Sequence, residues 1–200
     1  MSARKPHDVE SIVAIAFAVF RRQGFDATSI ADIADVAGVS KAAIYHHLPS
    51  KEAILSHGLD RALRALEAID REPLARQESA IDSLRHVLRR VVEVELAFLP
   101  EASVLVRLRG NTGVEVDAVD RRRLFDRNIA AVLSRGQAQG TIRNNMEPHL
   151  ATVLILGMIT WVTEWFRPDG DIDRTTIADT IVSICLQGIA TPDPSLGGIR

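Results

Sequence analysis

The sequence predicts an all-α chain of about nine helices, and three of its features carry that expectation. Apolar residues recur at helical spacing, i, i+3, i+4 and i+7, in segment after segment. Serine or aspartate stands where many of these segments begin, and glycine or proline where many end. The one run that competes with helix, Val114-Glu115-Val116, is too short to argue a sheet.

The first helix is expected from about Asp8 to Gln23, with Ile12, Ile15, Ala16, Val19 and Phe20 on one face. Gly24 stops it, and Phe25 is placed for the apolar contact that follows a glycine cap. The second, short helix buries Ile30, Ile33, Ala34 and Ala37 and takes its cap from Thr28 and Ser29. Gly38 can adopt the left-handed backbone that lets the chain swing away, Val39 plugs the small core, and Ser40 caps a helix from Lys41 to His47. Ser50 caps a fourth helix, from Lys51 to Asp70, about twenty residues and roughly 30 Å long. Pro73 then marks a boundary.

The remainder reads as helical throughout. Ile81 to Leu99 is periodic and Pro100 breaks it. Ser103 to Arg109 is apolar with two arginines, and Asn111-Thr112-Gly113 is a loop. Asp117 to Gln139 carries Leu124, Phe125, Ile129, Val132 and Leu133, and Gly140 ends it. Pro148 suits the first turn of a helix running to about Phe166. After a turn at Arg167-Pro168-Asp169-Gly170, Thr175 to Gly188 forms the last helix. The tail from Thr191, with Pro192, Pro194, Gly197 and Gly198, is expected to be disordered. The domain reading is a head at 1–50, a linker helix at 51–70, a helical body at 71–190 and a tail at 191–200.

Two short helices around a glycine turn describe a helix-turn-helix, whose second helix enters the DNA major groove. They equally describe an ordinary αα-hairpin, and geometry alone leaves both open. The individual residues separate them. From Thr28 to Leu55 the chain reads T-S-I-x-x-I-A-x-x-A-G-V-S-x-x-x-I-Y-x-H-L-x-x-K-x-x-L, which resembles the DNA-binding signature of the TetR family of bacterial repressors. Leu48 stands where that family usually has Phe, and still fills an apolar hole. The resemblance implies a three-helix DNA-binding domain followed by a helical ligand-binding and dimerisation domain. It also implies that Thr28, Ser40, Tyr45, His47 and Lys51 contact the DNA backbone, with Ser29 beside them.

The second helix of the motif adds its own candidates. Ala42 and Ala43 are small enough for the backbone to approach base edges, and an alanine methyl can touch a thymine methyl. Lys41 can reach a phosphate or a guanine edge, and His46 is a further contact candidate. Tyr45 also admits a reading as a partly buried anchor. His46 and His47 point about 100° apart on a helix and cannot form a metal-binding pair.

Charge gives the reading no help by count. The chain has net charge −2. Within residues 1–60, Arg4, Lys5, Arg21, Arg22, Lys41 and Lys51 face Asp8, Glu10, Asp26, Asp32, Asp35, Glu52 and Asp60. The usual basic footprint of a DNA binder is therefore missing, and binding must rest on placement. Arg4, Lys5, Lys41, Lys51 and the helix starts near Thr28 and Ser40 would face phosphates, while Asp26, Asp32, Asp35 and Asp60 point away.

Other function classes are narrowed by composition. With 46% apolar residues over 200 positions there is chain enough for a real core. One cysteine, Cys185, rules out a disulfide framework or thiolate metal cluster within one chain and fits a small buried hydrophobe. No metal or cofactor is expected. The most apolar window, Leu150 to Val162, is too short for a membrane span, and no secretory signal stands out, so a cytoplasmic protein is expected. A helical enzyme is disfavoured because no nucleophile–base pair, paired carboxylate or metal cluster stands out.

Two further sites follow. Leu150, Val153, Leu154, Gly157 and Met158 share a face with Trp161, and Ile177, Ile181 and Ile184 make a matching stripe with Cys185. TetR-like proteins pair these two helices across a two-fold axis, so a homodimer on a two-fold operator is expected. The segment Thr160–Gly170 and the stretch Asp117 to Arg143, with Gln139-Gly140-Thr141-Ile142-Arg143, resemble a subset of that family that responds to acyl-CoA thioesters. Such an effector needs an apolar slot and cations for its phosphates. The candidates are Arg107, Arg109 and Arg122 with Phe125, Trp161 and Trp165; Arg121, Arg122 and Arg123 cannot all line one cavity. The function read from the sequence is a repressor released from double-stranded operator DNA by a small apolar or acyl-CoA effector. The alternative is a DNA-binding protein of the same fold without small-molecule control.

Overall fold

Capping chemistry sets the helix ends. The computed structural model describes residues 8–189, and among these the regular structure is nine α-helices and one 3-10 turn. Arg4, Lys5 and the tail from Thr191 lie outside the described residues. Helix α1, Val9–Gln23, starts at Asp8, whose carboxylate accepts the Ser11 N–H at 2.8 Å, and stops at Gly24 with φ of 89°. Helix α2, Ile30–Ala37, has Ser29 as its N-cap in a reciprocal box with Asp32, and Gly38 ends it in the left-handed conformation (φ 64°, ψ 36°). Helix α3, Lys41–His47, takes Ser40 as its cap, with the hydroxyl accepting the Ala43 N–H at 3.1 Å. Helix α4, Lys51–Ile69, begins at Ser50, which accepts the Ala53 N–H at 3.0 Å.

A 3-10 turn at Pro73–Arg76 precedes α5, Ala80–Ala97. Helix α6, Leu99–Leu105, carries Pro100 in its first turn, so Pro100 opens a helix as well as closing the one before. Helix α7 spans Gly113–Ala138 and starts four residues ahead of the expected Asp117. The reason is Glu115, buried at 2% exposure, whose carboxylate accepts the N–H groups of Arg109, Gly110 and Asn111 at 3.0–3.2 Å and the Thr112 hydroxyl at 3.3 Å. Val114-Glu115-Val116 is thus the first turn of a helix and not a strand. Helix α8, Pro148–Trp165, is capped by Glu147 with Pro148 in its first turn, and α9 is Arg174–Ile189.

These elements divide into two packed units. The first comprises residues 8–64 and 98–121 and has one core: Ile12, Phe17, Phe20, Phe25, Ile33, Ile44, Leu48, Leu55 and Leu59 together with Val104, Leu105 and Ala118. Residues 98–121 therefore pack with the N-terminal helices, whereas the sequence placed them in the body. Periodicity shows that a segment has a buried face but not what covers it. Phe20 sits between two edge-on partners, Phe17 at 5.5 Å and Phe25 at 5.1 Å.

In the second unit, residues 65–97 and 122–189, α5 packs against both α8 and α9. Leu84, Leu88, Val91 and Val92 of α5 are buried, as are Phe125 and Ile129 of α7, Ile155 and Ile159 of α8, and Ile177, Ile181 and Leu186 of α9. Glu72 accepts from His86 at 2.5 Å and from Arg90 at 3.0 Å, tying the 3-10 segment to α5. Cys185 is buried in this unit, and burial pushes its thiol up to about 11. No helix of the described residues is long and apolar enough to cross a membrane, and none of their acidic, cysteine and histidine side chains group in a way that could hold a metal ion.

Candidate functional site

The turn between α2 and α3 is closed by backbone bonds, with the Val39 N–H donating to the Ala34 carbonyl at 3.0 Å. Val39 packs against the core below, as its position predicts. Helix α3 is sided: Ile44 is fully buried and Leu48, at its end, is 6% exposed. Lys41, Ala42, Ala43, Tyr45, His46 and His47 all point to solvent. Tyr45 is 51% exposed, so it is not the buried anchor that its size also allowed. The face combines a cation, a phenol, two imidazoles and two methyls on a rigidly seated helix, a set suited to phosphates and base edges.

Two motif residues have other work. Thr28 is 3% exposed and its hydroxyl donates to the Gly24 carbonyl at 2.7 Å, so its side chain closes the turn after α1, while Ser29 alone caps α2. Lys51 places its ammonium 4.3 Å above the Phe25 ring and donates to the carbonyls of Phe25 at 2.7 Å and Asp26 at 3.4 Å. Both were expected on the DNA backbone; here both hold the 24–28 loop in place. Three of the four acids expected to turn from the DNA are engaged by groups of the chain itself. Asp32 is occupied by the Ser29 N–H and hydroxyl, each at 2.7 Å, and these bonds hold its carboxyl below the ordinary range. Asp26 accepts from Asn111 at 3.0 Å, and Asp60 pairs with Arg64 and Arg121. Asp35 remains exposed.

The effector candidates are divided between the two units. Arg107 and Arg109 belong to the first unit, where Arg107 donates to the Arg21 carbonyl at 3.0 Å. They border a cavity of about 250 Å³ with Phe20, Phe25, Val104 and Leu108. Trp161 and Trp165 are 66% and 46% exposed and line an open apolar groove of about 420 Å³ with Met158, Ile172, Thr180 and Ile184. Both tryptophans thus lie on the outer face of α8 and not in the interior, because the opposite face, with Thr152, Ile155, Ile159 and Thr163, is the one turned inward. In the body's interior Phe125 is buried at 4% exposure, while Arg122 is half-buried.

One residue there escaped the sequence reading. Glu95 of α5 is half-buried, with Oε1 accepting from Thr160 at 3.0 Å and Oε2 shielded from water and without a hydrogen-bond partner among the described residues. Burial raises it to about 7, against the pull of Thr160 and Arg122. The signal lay in its spacing, since Leu84, Leu88, Val91 and Glu95 fall on one apolar stripe.

Of the expected pairing surface, Leu150, Val153, Leu154 and Ile184 are exposed at 57%, 47%, 65% and 55%. Gly157 lies among them with nothing within 4 Å of where a Cβ would stand. Ile177 and Ile181 are instead 4% and 7% exposed, buried within their own chain. The α9 stripe therefore serves the internal core first, and only its edge reaches the outer face.

Residues 77–189, more than half of the chain, match the family model described as the tetracyclin repressor-like C-terminal domain, and residues 12–57 match that of bacterial regulatory proteins of the tetR family. Among curated proteins the chain is similar to the HTH-type transcriptional repressor KstR2 of Rhodococcus jostii, 29% identical over 185 residues and 89% of each chain. Among solved structures it is similar to SCO3833, a TetR-family regulator from Streptomyces coelicolor, at 38% identity and a TM-score of 0.84, covering 94% of this chain and 93% of that one. AibR, solved with isovaleryl coenzyme A and operator DNA, shares the fold at 22% identity and a TM-score of 0.70, over 88% of this chain and 96% of that one. This family is one of transcriptional regulators and not of enzymes. The two-unit helical fold, the sided α3 and both matching models agree: the chain belongs to the TetR family of bacterial transcriptional regulators.

Proposed function

We propose that the protein is a homodimeric repressor that reads a two-fold operator with α3 and is released by a small apolar or acyl-CoA effector held in the helical body. The observation that carries the DNA half is the sidedness of α3, with Ile44 inward and Lys41, Ala42, Ala43, Tyr45, His46 and His47 outward. A short helix reads few base pairs, and pairing two copies about 34–36 Å apart supplies the rest. The exposed apolar face of α8 around Leu150, Val153, Leu154 and Gly157, with Ile184 of α9, supports that pairing. The effector half draws on KstR2, named as a repressor, and on AibR, solved with an acyl-CoA. Release requires the effector to favour one spacing of the two DNA-reading units over another; equal affinity for both would change nothing.

The test uses mobility shift on the DNA flanking the protein's own gene. Lys41→Ala and Tyr45→Ala should each weaken the shift by roughly 10-fold or more while sedimentation still shows a dimer. Lys41→Ala should also flatten the dependence of log affinity on log salt by about 2, one phosphate for each protomer. Unchanged binding by both variants refutes the reading of α3. For the effector, acyl-CoA esters should raise the melting temperature by mass action and weaken the shift, while the matching free acids do neither.

A further inference from the structure

Helix α5 presents Leu84, Leu88, Val91 and Glu95 at spacings of four, three and four residues, so a carboxylate takes a position the helix otherwise fills with buried apolar side chains. On α8, Thr160 donates to Oε1 at 3.0 Å. On α7, Arg122 and Asp126 stand one helical turn apart and both act on the carboxyl electrostatically. Phe125, Ile129, Ile155 and Ile159, buried on those helices, carry no donor, and the buried hydroxyls of Thr152 and Thr163 donate to the carbonyls of Pro148 and Thr160. Oε2 is cut off from solvent and has no hydrogen-bond partner among the described residues. An acceptor in that state is rare in a folded interior and calls for a donor.

We propose that Glu95 is the polar anchor of the effector site, its Oε2 accepting a hydrogen bond from a neutral hydroxyl on an otherwise apolar effector. This rests on the reading above that the helical body holds a small effector. The neighbours restrict the class of ligand. Glu95 with Asp126 disfavours a free carboxylate, and an alkylammonium would have to give up its hydration on entering a buried site whose other lining is apolar. A hydroxyl meets neither objection. Since burial brings the Glu95 carboxyl to about 7, a donor at Oε2 holds it in the charged, accepting form near neutral pH.

Two isomers test this, 1-decanol and 1-methoxynonane, which differ in whether their oxygen can donate. Water solvates the alcohol better, so a body with no acceptor for it binds the ether more tightly. With titration calorimetry on the full-length protein, the alcohol should bind at least about tenfold more tightly than the ether. Glu95→Leu should abolish that preference while still binding the ether. Glu95→Gln, which keeps an acceptor without the charge and nearly the same shape, should reduce it to a few-fold. Equal binding of the two isomers by the unaltered protein, or a full preference surviving in Glu95→Leu, overturns the proposal. Should neither isomer bind while dodecanoyl-CoA does, the effector reading stands and the assignment of Glu95 falls. Should no acyl-CoA bind either, both fall.

Discussion

Gly58 sits in the middle of α4, where helix propensity and packing predict opposite signs for the same substitution. An alanine Cβ there would stand 2.2 Å from Cε2, 2.7 Å from Cζ and 2.9 Å from Cδ2 of Phe17. Carbon atoms in contact sit at about 3.5–4.0 Å, so the Phe17 ring would have to withdraw by more than about 1 Å. It has nowhere to go, being wholly buried and packed edge-on against Phe20 at 5.5 Å. Adding a methyl to such a core costs about 1–3 kcal/mol. Alanine in place of glycine in a helix interior returns about 1 kcal/mol. The net expectation for Gly58→Ala is a loss of roughly 1 kcal/mol, or about 2–4 °C in melting temperature for a chain of this size. Thermal unfolding at fixed protein concentration reads it, because the midpoint of a dimer depends on concentration. A smaller ring neighbour should relieve the clash, so Phe17→Leu should cost less in the Gly58→Ala background than alone. A rise in melting temperature for Gly58→Ala, as propensity alone would give, refutes the argument.

Leu154, 65% exposed on the face of α8 that bears Gly157, should tolerate Glu as a monomer but not in a pair, since two-fold packing buries the new charge without a partner. Leu154→Glu should weaken dimerisation by about 3 kcal/mol, more than a hundredfold, in sedimentation velocity, and a dimer that survives intact rules this face out. Glu95 gives a pH prediction whose sign follows from its carboxyl being raised to about 7 in the folded chain from an ordinary 4.5. Its protonation favours folding, so that contribution is full below about 4.5 and is lost as pH rises through about 7. Glu95→Gln cannot titrate, so in urea unfolding it should gain on the unaltered protein between pH 5 and 8, on the order of a few kcal/mol, and a gap independent of pH contradicts the placement of the carboxyl.

What was legible in the sequence was mostly local. Ser29, Gly38, Ser40 and Ser50 act on backbone groups within four residues of themselves, and each does in the structure what its chemistry suggests. The structural roles of Thr28 and Lys51 were not legible for the complementary reason. Their partners, the Gly24 carbonyl and the carbonyls of Phe25 and Asp26, become available only once the α1–α2 loop is folded, and Lys51 reaches back across 26 residues to meet its own. A family signature mixes residues that build the motif with residues that touch its ligand, and spacing alone does not sort them. The α9 stripe is divided in a way that spacing does not show. Ile177, Ile181 and Ile184 are equally apolar in sequence, yet two of them face inward and one outward. Glu95 was legible as an anomaly, a carboxylate in an apolar register, but only three-dimensional packing identifies Thr160 and Arg122 as its neighbours.

The first unit also bears on what seats helix α3. Ile44 and Leu48, which seat α3, belong to the same core as Val104, Leu105 and Ala118 of α6 and α7. The loop before α2 is held from three directions: Lys51 on the Phe25 carbonyl, Asn111 on the Asp26 carboxylate, and Thr28 on the Gly24 carbonyl. Glu115 in turn fixes the loop that carries Asn111 through the N–H groups of Arg109, Gly110 and Asn111. Residues 98–121 are therefore part of what holds helix α3. A displacement of α6 or of the start of α7 acts on α3 through one close-packed core, with no intervening linker to absorb it.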